Sequence, residues 1–205
     1  MERRNFLETG MLGGVALLNP PALSHCQSTN SQKMLMPFYI PPSEPLEPGP
    51  GNVDIRTIVR TNQTDKQFSS VEVAVAPRQM GPSPHLHQDL DELMYVLEGT
   101  ATVMIGKEIY EVKAGGWNFR PRGIVHSFWN VSDTPLRFID CFFNQNFEDY
   151  LEELFHQIIP DMVQKRLTPT TPEIVNKIAA LDKKFGVTWF HEQRQAIVDQ
   201  YRLKS

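Results

Sequence analysis

The stretch His85-Leu86-His87-Gln88-Asp89-Leu90-Asp91-Glu92 contains the residues around which the rest of the chain is organised. Successive side chains of an extended strand point to opposite faces, so His85 and His87 project from one face with their Cα atoms roughly 6 to 7 Å apart. Glu92 follows a short polar bend, from which its carboxylate can return beside the two imidazoles. Two neutral imidazoles and a carboxylate suit iron(II), manganese, nickel, copper or zinc better than calcium or magnesium. The stretch therefore predicts most of a transition-metal site.

A His-x-His pair alone is weak evidence, because many such pairs are surface histidines without a partner. A second stretch, from Gly115 to Asn130, has the form Gly, five residues, Pro-x-Gly, two residues, His, three residues, Asn. Its Pro121 and Gly123 predict a tight turn, which aims the following strand so that His126 lands on a chosen face. His126 is therefore a further candidate ligand.

Short segments with the residue types of β-strands fill the middle of the chain, and turn-forming residues separate them. An alternating residue pattern is present in Val71-Glu72-Val73-Ala74-Val75. No alternation of strands with helices is present, so the pattern favours an antiparallel sandwich or barrel. The predicted strands cover residues 52–60, 68–78, 85–88, 92–98, 100–105, 108–112, 117–120, 124–131 and 136–143.

After Phe143 the hydrophobic period becomes helical. Apolar residues recur at this spacing over residues 147–158, over residues 174–185, where Gly186 ends the helix, and over residues 196–201. We expect these helices to cover one face of a sheet, to close an open end of the barrel or to contact a partner subunit.

The N-terminal residues 1–24 resemble a twin-arginine export signal. The pair Arg3-Arg4 precedes a weakly apolar stretch, and small residues follow near Ser24. Glu2 and Glu8 depart from the usual pattern. We expect an exported protein, periplasmic or secreted, with a cytoplasmic protein as the alternative. Residues 25–51 are rich in Pro, Ser and Asn and predict an extended linker or arm.

Composition limits the classes of partner. The net charge is −4 and the 20 basic residues form no block, which argues against binding to nucleic acid or to an anionic membrane surface. No apolar run reaches the roughly 20 residues that a membrane-spanning helix needs. Only Cys26 and Cys141 are present, and Cys141 lies inside an apolar strand pattern, so the sequence does not indicate a disulfide framework.

The two motifs together resemble those of the cupin superfamily. The first cupin motif has His-x-His, three or four residues, Glu, six residues and Gly, and is matched by His85, His87, Glu92 and Gly99. The stretch ending at Asn130 matches the second motif. A glycine usual before the first histidine is replaced by Gln79, which departs from the pattern. The resemblance implies an all-β fold, a double-stranded β-helix or jelly-roll barrel over residues 52–145, with a helical extension at residues 146–205.

The resemblance also implies a site and an activity. His85, His87, Glu92 and His126 are implied to be the four ligands of one divalent transition metal ion, which the sequence does not identify further. Similarity to single-domain, quercetin-dioxygenase-like cupins implies an oxidoreductase with dioxygenase-like chemistry on an aromatic or enol-like small molecule, with Glu92 as ligand and catalytic base. The alternative is a non-catalytic module that binds a metal or a small molecule. Assembly as a homodimer also stays open.

Strand alternation supplies candidates for a substrate pocket. Met94 and Val96 share a face with Glu92, and Phe128 shares one with His126. Together with Phe142 they would form a mostly apolar pocket. The alternative for each is an ordinary place in the core.

Two arginines and three histidines remain to be placed. Arg120 and Arg122 either reach a substrate anion or face water. The other histidines are expected at the surface, namely His25, His156 and His191.

Overall fold

A computed structural model of the protein describes residues 34–49 and 51–204. The predicted export signal at residues 1–24, His25 and Cys26 lie outside the described residues. Strands occupy most of the described chain up to Phe143, and helices occupy most of it afterwards. The predicted β-barrel with C-terminal helices is confirmed.

The strands form two five-stranded antiparallel sheets. They are β1 (Val53–Val59), β2 (Phe68–Val75), β3 (His85–His87), β4 (Asp91–Glu98), β5 (Thr100–Ile105), β6 (Glu108–Lys113), β7 (Trp117–Arg120), β8 (His126–Trp129), β9 (Leu136–Phe143) and β10 (Val187–Trp189). One sheet has the order β1-β2-β9-β4-β7 and the other the order β10-β3-β8-β5-β6. Each predicted strand has an observed counterpart, and the largest shortening is at residues 124–131, of which only His126–Trp129 are extended.

Along β4 and β9, every second side chain points into the barrel, and the chemical character of these inward side chains differs between the two ends of the interior. On β9, Leu136, Phe138, Asp140 and Phe142 are buried while the residues between them are partly exposed. These two strands are neighbours in the first sheet. One end of the interior is therefore closed by apolar side chains, and the other carries the carboxyl group of Asp140.

The helices follow the predicted apolar spacing. The first helical segment runs through α1 (Phe147–Glu153), a π-helical turn (Leu154–Ile158) and α2 (Ile159–Lys165). The π-helical turn ends two residues before Pro160, whose ring has no N–H and clashes with the carbonyl one turn earlier. Two further helices are α3 (Pro172–Phe185) and α4 (Arg194–Tyr201). No helix in residues 34–49 and 51–204 is long and apolar enough to span a bilayer.

The C-terminal extension is not only helical, because it supplies strand β10 to the barrel. Gly186 ends α3 with φ +63°, and its carbonyl accepts a hydrogen bond from the Gln88 N–H at 3.0 Å. β10 then pairs with β3, with Trp189 opposite His85. The extension therefore lies directly beside the strand that carries the first two histidines.

The end of the chain is also attached to the barrel. Met80, Trp129, Val198 and Leu203 form a second buried cluster. The Lys204 N–H donates to the carbonyl of Arg78 at 2.6 Å, and the Met80 N–H donates to the carbonyl of Lys204 at 3.0 Å. Helix α4 is thus fixed against the segment that leads into β3.

The arm at residues 34–49 has no regular secondary structure. Near its end, the Leu46 N–H donates to Glu72 Oε1 at 3.3 Å, and Arg56 Nη2 donates to the carbonyl of Glu44 at 3.0 Å. The apolar side chains at residues 34–40, apart from Pro37, are exposed large hydrophobics. The last residues of the arm therefore hydrogen-bond to β1 and β2.

Truncation of Phe138 tests the position of the core. Phe138 is fully buried, and its ring lies 5.0 Å from that of Phe128 in an edge-to-face arrangement. We expect Phe138→Ala to lower the free energy of unfolding in urea by about 3 to 5 kcal/mol. Tyr110, which lies on β6 and is 45% exposed, is the control, and Tyr110→Ala should change it by about 0.5 kcal/mol or less. Equal losses in the two variants would contradict this core.

Candidate metal centre

Three buried imidazoles meet at the end of the barrel interior that carries Asp140. β3 carries His85 and His87 on one face, and β8 places His126 directly opposite His85. Each ring offers one nitrogen, and these nitrogens lie within 4.8 Å of one another. The sequence prediction that these three histidines converge is confirmed, and they form a possible metal site.

The Pro121-Arg122-Gly123 turn holds the two ligand strands together. Gly123 has φ +73°, and its N–H donates to the carbonyl of His87 at 2.8 Å. The Arg122 N–H donates to Asp91 Oδ1 at 2.9 Å, at the start of β4. The turn therefore connects the His87 backbone to the strand that begins at His126.

Backbone carbonyls fix the tautomers of two of the rings. His85 Nδ1 lies 2.9 Å from the carbonyl of Ser83, and His126 Nδ1 lies 3.0 Å from that of Ile124. A carbonyl only accepts, so Nδ1 carries the proton and Nε2 keeps its lone pair. His126 Nε2 and both ring nitrogens of His87 are buried without a hydrogen-bond partner among the described residues. Unpartnered buried nitrogens of this kind fit a bound metal ion.

Glu92 faces these rings from the other sheet. Its Oε2 lies 2.6 Å from His126 Nε2, and its Oε1 lies 3.8 Å from His87 Nε2. The short approach lacks hydrogen-bond geometry, since neither Oε2 nor Nε2 has a hydrogen-bond partner. With the His126 proton on Nδ1, two electron-pair donors face each other, and a cation stabilises such a pair. The Glu92 carboxylate therefore lies beside the three histidines, and its role as fourth ligand stays a prediction.

An ion network that sequence reasoning missed lies behind Glu92. Arg120 stands opposite Glu92 across β4 and β7, with its Nε 3.4 Å from Glu92 Oε2. Its Nη2 donates to Asp140 Oδ1 at 2.5 Å. Arg120 is 1% exposed, so the alternative that it faces water is wrong. It lines the cavity between Glu92 and Asp140, and contact with a substrate anion stays a prediction. Arg122 is exposed and pairs with Asp91. The sequence feature that could have indicated this network is Asp140, an acidic residue at an inward position of an otherwise apolar strand.

The environment sets the ionisation of the site. Burial opposes ionisation of Glu92, but the neighbouring Arg120 guanidinium outweighs it and holds the pKa of Glu92 well below the usual range. Burial lowers the pKa of His87 to about 4 and that of His85 well below its usual value. Burial raises the pKa of Asp140 to about 6, against the opposing effect of Arg120. At neutral pH Glu92 is ionised and both imidazoles are neutral, the forms that bind metal ions.

The imidazoles line a cavity of about 430 Å³. Phe128 and Phe142, two of the predicted pocket residues, are part of its lining. Met94 and Val96, the other two, are not; they are fully buried in the core further along β4. Their position follows from the direction of β4, which runs from Glu92 towards the closed apolar end.

The C-terminal extension supplies much of the remaining lining. The Phe147 ring of α1 lies 4.8 Å from that of His87, and the Trp189 ring lies 4.7 Å from that of His85. His191 is exposed, as expected, but it also lines the cavity and stacks on Trp189 at 5.5 Å. Helical spacing predicts that Phe147 lies on the apolar face of its helix. The sequence gives no sign that this face packs against the histidines.

The lowered pKa of His87 predicts acid sensitivity of the metal-free protein. Below its ordinary pKa of 6.5 the unfolded chain binds a proton at this position, whereas the folded chain resists it down to about pH 4. Acid therefore favours the unfolded state, and up to about 3 kcal/mol of stability should be lost between pH 6.5 and pH 4. Urea unfolding in the presence of a chelator measures this loss, and His87→Gln should flatten that part of the curve. An unchanged slope in the variant would contradict the assignment.

Comparison with known proteins places residues 71–142 within a family described as "Cupin domain". An uncharacterised protein of Methanocaldococcus jannaschii is 28% identical over 87 residues, which are 42% of this chain and 70% of that protein. An uncharacterised protein of Aquifex aeolicus is 29% identical over 83 residues, which are 40% of this chain and 65% of that protein.

Solved structures that are similar to part of this chain include KdgF from Halomonas sp. and a predicted oxalate decarboxylase from Thermotoga maritima. The first has a TM-score of 0.43 and 19% identity, covering 48% of this chain and 84% of that one. The second has a TM-score of 0.42 and 21% identity, covering 44% and 79%. The match to the cupin-domain family covers residues 71–142 of this chain.

Proposed function

We propose that the protein binds one divalent transition metal ion through His85, His87 and His126, with Glu92 as fourth ligand. We further propose that it is an oxidoreductase with dioxygenase-like chemistry on an aromatic or enol-like small molecule. One observation carries the proposal. Three buried imidazoles, two of them in fixed tautomers, meet a carboxylate within a cavity large enough for a small organic molecule.

The residues present have distinct tasks in this proposal. When bound, the ion supplies Lewis acidity at the inner end of the cavity and, where it is redox-active, a path for electrons to dioxygen. The lowered pKa of Glu92 suits it to be a ligand and makes it a weak proton acceptor. Asp140, with its pKa raised to about 6, also lines the cavity and is the stronger base of the two.

The walls of the cavity favour an aromatic or similarly flat substrate. Phe128, Phe142, Phe147 and Tyr150 all line it. Phe142 and Phe147 contact each other edge to face at 5.2 Å, and Phe147 stacks on Tyr150 at 4.7 Å. Aromatic walls exclude water and leave the polar groups at the inner end to fix the orientation of the substrate.

Export remains part of the proposal, on the strength of the twin arginine at Arg3-Arg4. A twin-arginine route carries folded proteins, so the metal would be loaded before export. A homodimer is likewise proposed, and exposed apolar side chains are available for such a contact on β4 and β7, at Leu97, Trp117 and Phe119.

Replacement of Glu92 tests the ligand set. We expect Glu92→Gln to weaken binding of Co²⁺ at least about 10-fold, because a charged ligand is replaced by a neutral amide. Glu98 lies on the same strand, is exposed and pairs with Arg137, so Glu98→Gln is the matched control and should leave the affinity unchanged. Isothermal titration calorimetry measures both. An unaltered affinity in Glu92→Gln would remove Glu92 from the site.

Oxygen consumption tests the proposed reaction. Protein loaded in turn with iron(II), manganese, nickel, copper and zinc is mixed with a flavonol or a catechol in an oxygen electrode cell. We expect metal-dependent oxygen uptake that His87→Ala reduces at least about 100-fold. His156→Ala, at an exposed histidine outside the cavity, should retain full activity. Tight ligand binding without turnover under every metal would instead support the non-catalytic module.

A further inference from the structure

One arginine of the cavity lining has no acidic partner among the described residues. Arg194, at the start of α4, is partly buried and lies with Gly81 and Ser83 on the cavity wall. Its Nη1 donates to the carbonyl of Gly81 at 2.7 Å, which is its single hydrogen bond within residues 34–49 and 51–204. No carboxylate of these residues lies within 4.0 Å of it, in contrast to Arg120 in the same cavity.

The bond to Gly81 alone does not account for a guanidinium at this position. Arginine has five N–H donors, and a neutral donor would satisfy a single carbonyl equally well. A partly buried charge without a partner is unfavourable, and burial lowers the pKa of Arg194 in agreement with this. The two carboxylates of the cavity, Glu92 and Asp140, are already engaged with Arg120.

Neighbouring groups of the lining are also donors. The Trp189 Nε1–H is buried and has no acceptor among the described residues. Trp189 and His191 stack with an interplanar angle of 7°, and both belong to the same lining as Arg194. Hydrogen-bond donors that lack an acceptor can bind an oxyanion, and an aromatic surface in the same cavity can hold the flat molecule that carries it.

We propose that Arg194 binds an anionic group of the substrate, a carboxylate or another oxyanion, so that the site takes an aromatic or enol-like acid. The inference rests on the proposed function and deepens it by naming the substrate class. The anion lies at Arg194, and the oxygens that react lie towards His85, His87 and His126. The recognising residue belongs to the C-terminal extension, outside residues 71–142 that match the cupin domain.

Two matched probes test the proposal. Cobalt-loaded protein is titrated without oxygen with 3,4-dihydroxybenzoate and with catechol, which differ only in the carboxylate. We expect the acid to bind about 10- to 100-fold more tightly, the range for hydrogen bonds to a charged group. Arg194→Gln should abolish this preference and leave the affinity for catechol unchanged. Arg194→Lys keeps the charge without the planar fork and should retain part of the preference.

Each outcome is informative. Cobalt affinity, which depends on the three histidines, checks that the variants are folded. Equal binding of the two probes by the wild type would overturn the inference and leave the proposed function standing. A similar loss for both probes in Arg194→Gln would also overturn it, since Arg194 would then only shape the cavity. Binding of neither probe by cobalt-loaded protein would overturn the inference and the proposed substrate class together.

Discussion

The burial of Arg120 between Glu92 and Asp140 is the interaction on which the site depends. The register of β4 and β7 sets Arg120 opposite Glu92, so the two groups meet wherever the sheet forms correctly. Removing one member of a buried ion network leaves an unpaired charge, at a typical cost of about 3 to 5 kcal/mol. Arg120 also keeps Glu92 ionised in a place where burial alone would neutralise it. The same residue thus secures the sheet and the charge of the candidate ligand.

The site is built jointly by the barrel and the C-terminal extension. β10 covers the outer edge of β3, which would otherwise leave the backbone of His85 and His87 at an open sheet edge. α1 brings Phe147 against the His87 ring from another direction. The desolvation that lowers the pKa of both histidines requires this cover, since burial is the largest cause of each shift. The extension therefore contributes to the chemistry of residues that it does not itself contain.

The sequence predicted what local rules determine and missed what long-range packing determines. His85 and His87 share a face because of the two-residue period of a strand, and His126 follows a Pro-x-Gly turn, so both were accessible from spacing. The burial of Arg120 depends on pairing with Asp140, which is 20 residues away. β10 has only three residues, too few to show a period, and its partner strand lies about 100 positions earlier. Met94 was placed on the correct face, but the face alone does not show where the cavity ends.

The charges of the cavity favour one direction for an incoming molecule. With both carboxylates ionised, the group of Glu92, Asp140 and Arg120 carries one excess negative charge at the inner end, which favours a divalent cation there. Arg194 places a positive charge elsewhere on the lining, which also includes aromatic side chains. Apolar walls weaken dielectric screening, so each charge acts more strongly than it would in water. An anion is therefore repelled by the inner end when no cation is bound and attracted by Arg194 in either case, which orients an aromatic acid before any chemistry begins.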